Sequence, residues 1–68
     1  MISRAEIIGY FEEIIEIEEK MRERYRRLHE NVNRSEYKAL FLALAEEEAV
    51  HINLVRSLIE IFGRKKDS

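Results

Sequence analysis

The chain contains no cysteine among its 68 residues. This excludes disulfides, cysteine-based zinc sites and redox-active thiols. A core of this size is marginal for a chain that folds alone, and domains this small usually add a metal, disulfides or oligomerisation. With disulfides excluded, we expect the protein to bind metal, to associate with itself, or both.

The sequence also lacks a marked excess of either charge and any long apolar run. Its 12 Lys and Arg residues oppose 14 Asp and Glu residues, for a net charge of -2, which argues against a protein that mainly neutralises nucleic-acid phosphates. No stretch approaches the roughly 20 apolar residues that span a bilayer, and the N-terminus has no signal-peptide pattern. We therefore expect a soluble protein, in the cytoplasm or inside a protein compartment, that binds neither nucleic acid nor membrane.

Proline is absent and glycine occurs only at positions 9 and 63, so little interrupts helix formation. Near the N-terminus, Ser3 and Glu6 have the spacing of a capping box. This predicts that helix one begins at about residue 4, and the pattern continues to about residue 30. Gly9 lies inside this helix, where it either marks the close approach of another helix or is simply tolerated.

The break in the helical pattern is at residues 31–35 (NVNRS), where asparagines suit a helix end and a new cap. Asn33, or alternatively Ser35, is expected to cap helix two, which should run from about residue 34 to 62. Gly63 is the predicted stop, followed by a basic, frayed tail at residues 64–68. The predicted domain is thus a helical hairpin over residues 1–63.

Apolar side chains recur at spacings of three and four in both helices, which is the pattern of an amphipathic helix. The predicted stripes comprise Ile7, Ile8, Phe11, Ile14, Ile15, Met21, Tyr25, Leu28 and Val32 in helix one, and Tyr37, Phe41, Leu44, Val55, Leu58 and Phe62 in helix two. The short connection predicts an all-α antiparallel hairpin. Further apolar residues widen both faces beyond a two-helix contact, so we expect a homo-oligomer, at least a dimer that forms a four-helix bundle.

Three polar residues occupy positions in these stripes where the spacing predicts an apolar side chain. Glu18 interrupts the stripe of helix one, and Glu48 and His51 interrupt that of helix two with Glu-x-x-His spacing. An antiparallel hairpin that turns near residue 33 brings all three to one level. Buried carboxylates are costly without a compensating cation, and imidazole with carboxylates suits iron, manganese or zinc. The sequence therefore predicts a metal site at Glu18, Glu48 and His51.

One hairpin supplies three ligands, whereas a two-fold dimer supplies four carboxylates and two histidines. That set matches the general pattern of di-iron or di-manganese carboxylate centres, with one Glu from each of two helices and a Glu-x-x-His from each of the other two. We therefore expect two metal ions per dimer.

Residues 17–25 (IEEKMRERY), 37–41 (YKALF) and 44–51 (LAEEEAVH) together resemble half of a rubrerythrin or ferritin-like domain. Full-length members of the family repeat this two-helix unit in one polypeptide, whereas encapsulated ferritins use single two-helix units that associate to complete an iron site, and the chain is similar to this second arrangement. It implies that Glu18 is the first-helix ligand, Glu48 a metal-bridging carboxylate and His51 a terminal imidazole. Tyr25 matches the aromatic residue that follows the first ligand.

The resemblance further implies a ferritin-like four-helix bundle that holds iron and oxidises Fe(II) with oxygen or peroxide, in ferroxidase, iron-handling or peroxide-scavenging chemistry. The chain departs from the family in lacking a second half and a rubredoxin-like cysteine module. Residues 63–68 do not look like the docking peptide of a protein carried inside an encapsulin shell, although such a shell is a compatible partner.

Other interpretations remain open. The polar residues could form a hydrogen-bonded layer that sets helix register, in a structural or partner-binding dimer with or without zinc. Tyr25 could be a core residue or could hydrogen-bond a ligand carboxylate. His29 is interpreted as a surface or boundary residue rather than a ligand. The basic cluster of Lys20, Arg22, Arg24, Arg26 and Arg27 has acidic residues at salt-bridge spacing, which favours a solvated face over a nucleic-acid site.

Overall fold

The computed structural model describes residues 1–64, which form two helices, α1 (Arg4–Asn31) and α2 (Ser35–Arg64). The helices pack against each other along a hairpin that measures 53 × 15 × 15 Å. The predicted all-α hairpin is therefore confirmed. Residues 65–68 of the predicted tail lie outside the described residues. Within residues 1–64, no helix is long and apolar enough to cross a membrane.

The start of α1 is held by the capping box that the sequence predicts. The backbone N–H of Glu6 donates to Oγ of Ser3 at 3.1 Å, and the backbone N–H of Ser3 donates to Oε1 of Glu6 at 3.0 Å. Both bonds satisfy donors that a helix start would otherwise leave unpaired. The bond from the Ser3 backbone N–H to the Glu6 carboxylate lowers the pKa of Glu6 below its ordinary value, and the hydroxyl of Ser3 adds to this effect.

The start of α2 differs from the prediction. The backbone carbonyl of Arg34 accepts bonds from the N–H groups of Tyr37 and Lys38, at 3.1 and 3.0 Å, so Arg34 occupies the capping position. The two alternative caps predicted for helix two, Asn33 and Ser35, are therefore wrong. The helix begins at Ser35, so Asn33 lies one residue too early and Ser35 is already helical. The Arg34 guanidinium lies 5.3 Å from the Tyr37 ring centroid.

The end of α2 also differs from the prediction, because the helix passes through Gly63 to Arg64. Gly63 does not have the positive φ that a left-handed helix stop requires. Gly9 likewise marks no close approach within the hairpin, since a Cβ added there would meet nothing within 4 Å.

The contact between the helices is a single row on each helix, which we call the inner seam. Its buried residues among those described are Ala45, Glu48 and Ile52. Its half-buried members are Ile8, Phe11, Ile15, Glu18, Tyr25, His29 and Val32 on α1, and Lys38, Phe41, Val55, Ile59 and Phe62 on α2. At the end far from the turn, the rings of Phe11 and Phe62 meet edge to face, with centroids 5.8 Å apart.

The predicted stripe of helix two is partly wrong. Leu44 and Leu58 are 36% and 40% exposed, whereas Ala45 and Ile52 face α1. Leu44 and Leu58 belong to a second row, the outer stripe, whose members, apart from Met21, each precede an inner-seam residue by one position. The outer stripe consists of Ile7, Tyr10, Ile14, Ile17, Met21, Arg24 and Leu28 on α1, and Tyr37, Leu40, Leu44, Glu47, His51, Leu54, Leu58 and Ile61 on α2.

The two rows of the outer stripe lie on the same side of the hairpin. A shift of one residue turns a helix by about 100°, and the shift has the same sense along both chains. Because the helices are antiparallel, these rotations carry both rows to one face. The opposite face has a shallow groove lined by Arg22, Arg26, Leu42, Ala45, Glu46 and Ala49.

Candidate metal centre

The structure brings Glu18, Glu48 and His51 together at one level of the hairpin. One donor atom of each residue lies within 4.8 Å of the other two. Glu18 reaches the level from α1, while the three-residue spacing on α2 puts Glu48 and His51 on adjacent turns of one face. The predicted clustering is thus observed, and ligation of a metal by these residues stays a prediction.

The three side chains differ in their access to solvent. The side chain of Glu48 is 8% exposed and that of Glu18 is 18% exposed, whereas that of His51 is 53% exposed. The reason is position, because Glu48 and Glu18 lie in the inner seam and His51 lies in the outer stripe. The cluster therefore has a closed side formed by carboxylates and an open side formed by imidazole.

One nitrogen of His51 faces both carboxylates. Its Nδ1 atom is 3.1 Å from Oε1 of Glu48 and 3.4 Å from Oε2 of Glu18. An ionised carboxylate only accepts hydrogen bonds, so a hydrogen bond from His51 to either ionised carboxylate requires the tautomer with the proton on Nδ1. Nδ1 of His51 thus lies where the two carboxyl groups converge.

The electrostatics of the cluster favour an added positive charge. A hydrogen bond with Glu48 is the largest cause that raises the pKa of Glu18, and burial and repulsion from Glu48 add to it, while His51 opposes them. Among the described residues, Oε2 of Glu48 is buried without a hydrogen-bond partner. An unpaired buried carboxylate oxygen is costly. A divalent cation would satisfy this oxygen, so the residues fit a metal.

The donor set limits which metal would bind. Carboxylate oxygens and an imidazole nitrogen suit iron, manganese or zinc, and the chain has no thiolate that would favour copper(I). Three protein donors do not fill the coordination of one such ion, still less of two. Further donors must come from solvent or from another chain.

Tyr25 and His29 lie outside the cluster. Tyr25 is half-buried in the inner seam two turns beyond Glu18, and its predicted contact with a ligand stays a prediction. His29 is a half-buried boundary residue near the turn, where its Nδ1 lies 2.8 Å from the carbonyl oxygen of Lys38. Lys38 in return donates from Nζ to the carbonyl oxygen of His29 at 3.0 Å.

This clasp between His29 and Lys38 was not anticipated from the sequence. Its only signal is that both residues occupy inner-seam positions on either side of the turn. The sequence also did not predict the contact in which Arg56 donates to Glu19 at 3.0 Å, because 37 residues separate the two partners. Neither contact involves the cluster.

Comparison with known proteins gives one match. A family model described as Rubrerythrin matches residues 10–68, a range that includes Glu18, Glu48 and His51. No curated protein and no solved structure matches the chain.

Proposed function

Because the chain belongs to the rubrerythrin family, we propose that it is a di-iron carboxylate protein whose metal site is completed by a second copy of the chain. The proposed activity is the oxidation of Fe(II) with oxygen or peroxide, for iron handling or peroxide scavenging. The observation that carries the proposal is the cluster of Glu18, Glu48 and His51, in which one buried carboxylate oxygen lacks a partner.

The donor count and the surface of the hairpin support the part of the proposal that involves a second copy. Two hairpins related by a two-fold axis would supply four carboxylates and two imidazoles, the set that holds two ions in di-iron carboxylate bundles. The outer stripe presents large apolar side chains beside His51 that are between 36% and 60% exposed. A second hairpin on this face would bury them and would face the open side of the cluster.

Each residue has a distinct task in this proposal. Glu48, the most buried, supplies negative charge from within the core, where a low dielectric strengthens its attraction for a cation. Glu18 adds a second carboxylate from the other helix. His51 would bind an ion through Nδ1 only with that nitrogen unprotonated, because a ligand nitrogen carries no proton. When bound, a pair of iron ions would supply the electron-transfer chemistry that Fe(II) oxidation needs.

The test is metal content and mass in solution, measured on protein loaded with Fe(II) without oxygen, followed by the rate of Fe(II) oxidation on adding oxygen or peroxide. We expect a dimer with two iron ions that oxidises Fe(II) faster than buffer. His51→Ala and Glu48→Gln should each abolish loading. Glu46→Gln, which removes an equal charge from the opposite groove, should bind iron as the parent does.

One ion in a monomer, or an iron-loaded dimer that oxidises Fe(II) no faster than buffer, would contradict the proposal. A second candidate function is a helical-hairpin dimer that serves as a structural or partner-binding module, with zinc or the polar layer fixing its register. It is favoured by the contacts of His51 with both carboxylates, which pair the three residues with each other. Under that alternative, removing Glu48 and His51 changes stability, and the parent has no redox activity to lose.

A further inference from the structure

The groove on the face opposite the outer stripe opens at a gap in the inner seam. The seam residues of α1 follow one another at steps of three or four, except between Glu18 and Tyr25, where the missing position is Arg22. Arg22 is exposed, and Ala45, which lines the groove with it, is small and buried. A large apolar side chain on either helix would close the seam at this level. An exposed arginine and a small alanine leave it open.

The groove has the size and the mixed lining of a small-molecule site. Its volume is about 340 Å³, within the roughly 300 to 1,000 Å³ of ligand pockets in proteins. Three apolar and three charged residues surround it, namely Leu42, Ala45 and Ala49, and Arg22, Arg26 and Glu46. The apolar residues all belong to α2 and both arginines belong to α1. Such a lining suits a ligand that has an apolar part and a charged group.

The two arginines of the groove are not neutralised by other side chains. Arg22 and Arg26 are one turn apart on α1, a spacing at which like charges repel each other. The arginines that form ion pairs within residues 1–64 are Arg27, Arg34, Arg56 and Arg64. An anion placed between Arg22 and Arg26 would relieve their repulsion.

Acidic residues stand at salt-bridge spacing from both arginines but do not pair with them. Glu18, four residues before Arg22, lies 3.4 Å from His51 instead. Glu30, four residues after Arg26, forms no ion pair within residues 1–64. Of the residues that line the groove, Glu46 alone is acidic. Its charge offsets one of the two guanidinium charges, so a single negative charge on a ligand balances the groove.

We propose that the groove binds a small monocarboxylate with an apolar body. The carboxylate lies between Arg22 and Arg26, because guanidinium groups form strong, paired hydrogen bonds with carboxylates. The apolar body covers Leu42 and Ala49 and fills the gap above Ala45. A phosphate group fits less well, since it carries about 1.5 to 2 negative charges at neutral pH and has no apolar surface.

This site is separate from the candidate metal centre. It uses none of Glu18, Glu48 and His51. It also lies on the face opposite the outer stripe, so a second copy on the outer stripe would leave it open. The proposal is therefore independent of the proposed function.

The test is a titration of octanoate into the full chain, followed by the amide chemical shifts in NMR spectra. A chelator is present, so that the carboxylate cannot bind a metal ion. We expect saturable shifts that are largest at Arg22, Arg26 and Ala49, and small at Ile17 and Leu54 of the outer stripe. Acetate, which lacks the apolar body, and octanol, which lacks the charge, should each bind at least roughly tenfold more weakly.

Matched variants separate the groove from a general effect of charge. Arg22→Gln and Arg26→Gln should each weaken octanoate binding roughly tenfold, since each removes a charged hydrogen-bond donor. Arg27→Gln is the control, because Arg27 pairs with Glu23 and does not line the groove. Glu46→Gln should instead strengthen binding, roughly threefold at low salt, because it removes a repelling charge.

Ala49→Leu tests the apolar side of the groove without changing any charge. The larger side chain occupies the space of the ligand and should weaken octanoate binding at least roughly tenfold. If this variant folds poorly, the arginine variants are sufficient for the test.

Four results would each overturn the proposal. They are the absence of saturable binding, largest shifts along the outer stripe, equal effects of Arg22→Gln and Arg27→Gln, and binding of octanol or inorganic phosphate as tight as that of octanoate. Each of them would leave the proposed iron site untouched, because none involves its ligands.

Discussion

Nδ1 of His51 lies 3.1 Å from Oε1 of Glu48, the residue one turn before it on α2. The same nitrogen is 3.4 Å from Oε2 of Glu18 on α1. The first contact is local and follows from helical spacing, while the second exists only because the hairpin brings α1 to that level. The cluster is therefore a joint product of one motif and one tertiary contact.

The buried carboxylate of Glu48 should lower the stability of the metal-free protein. We expect Glu48→Met, which places an apolar side chain of similar length in the inner seam, to raise the free energy of unfolding in urea by about 1 kcal/mol or more and to abolish iron loading. Glu46→Met in the opposite groove is the control and should change stability little. A destabilising effect of Glu48→Met would instead support a polar layer that holds the fold.

Glu18 should make the stability of the metal-free protein depend on pH. Its pKa is raised above 4.5, chiefly by the hydrogen bond with Glu48. Between 4.5 and the raised pKa, the folded chain binds more protons at Glu18 than the unfolded chain does, so the free energy of unfolding grows as pH falls through this window. Thermal unfolding of the parent and of Glu18→Gln, compared across pH, isolates this contribution. It should be absent from the variant.

With metal bound, the direction of this dependence should reverse. Ligand carboxylates must be ionised, so protons compete with the ion and the stabilisation by Fe(II) or Mn(II) should diminish as pH falls through the same window. Unfolding with and without metal at each pH provides the measurement. If metal stabilised the protein equally on both sides of the window, Glu18 would not be a ligand.

The capping box at the start of α1 should contribute measurably to stability. Ser3→Ala removes the hydroxyl that accepts from the Glu6 backbone, and the expected loss is about 1 kcal/mol in the free energy of unfolding. Ser57→Ala is a matched control, because the Ser57 hydroxyl donates to the carbonyl of Asn53 within α2 and does not cap a helix. Equal effects of the two substitutions would contradict the assigned role of Ser3.

Gly9 offers a stabilising substitution. A Cβ at this position meets nothing within 4 Å, and alanine is favoured over glycine inside a helix by about 1 kcal/mol. We therefore expect Gly9→Ala to raise the unfolding midpoint without changing the mass in solution or the iron content. If the parent is a dimer and this variant is a monomer, another subunit approaches α1 closely at Gly9.

The local features of this protein could be predicted from its sequence. The box of Ser3 and Glu6 needs only neighbouring residues, and the hairpin follows from two long amphipathic patterns with a short break. The level at which Glu18 meets Glu48 and His51 follows from the position of the turn. These inferences succeed because helical spacing and the position of the turn together determine which residues lie at one level.

The sequence did not predict which of two adjacent rows faces the other helix. Ala45 and Ile52 lie one residue after Leu44 and His51, and a rotation of about 100° exchanges them. Both rows are largely apolar, so periodicity alone cannot choose between them. Packing chooses the inner seam, buries Glu48 with one unpaired oxygen and leaves His51 half exposed. The sequence by itself determined the three candidate ligands. The tertiary structure decided that α1 closes one side of their cluster and that the other side is open. The physical reason is that only the packing between the helices sets the rotation of each helix about its axis.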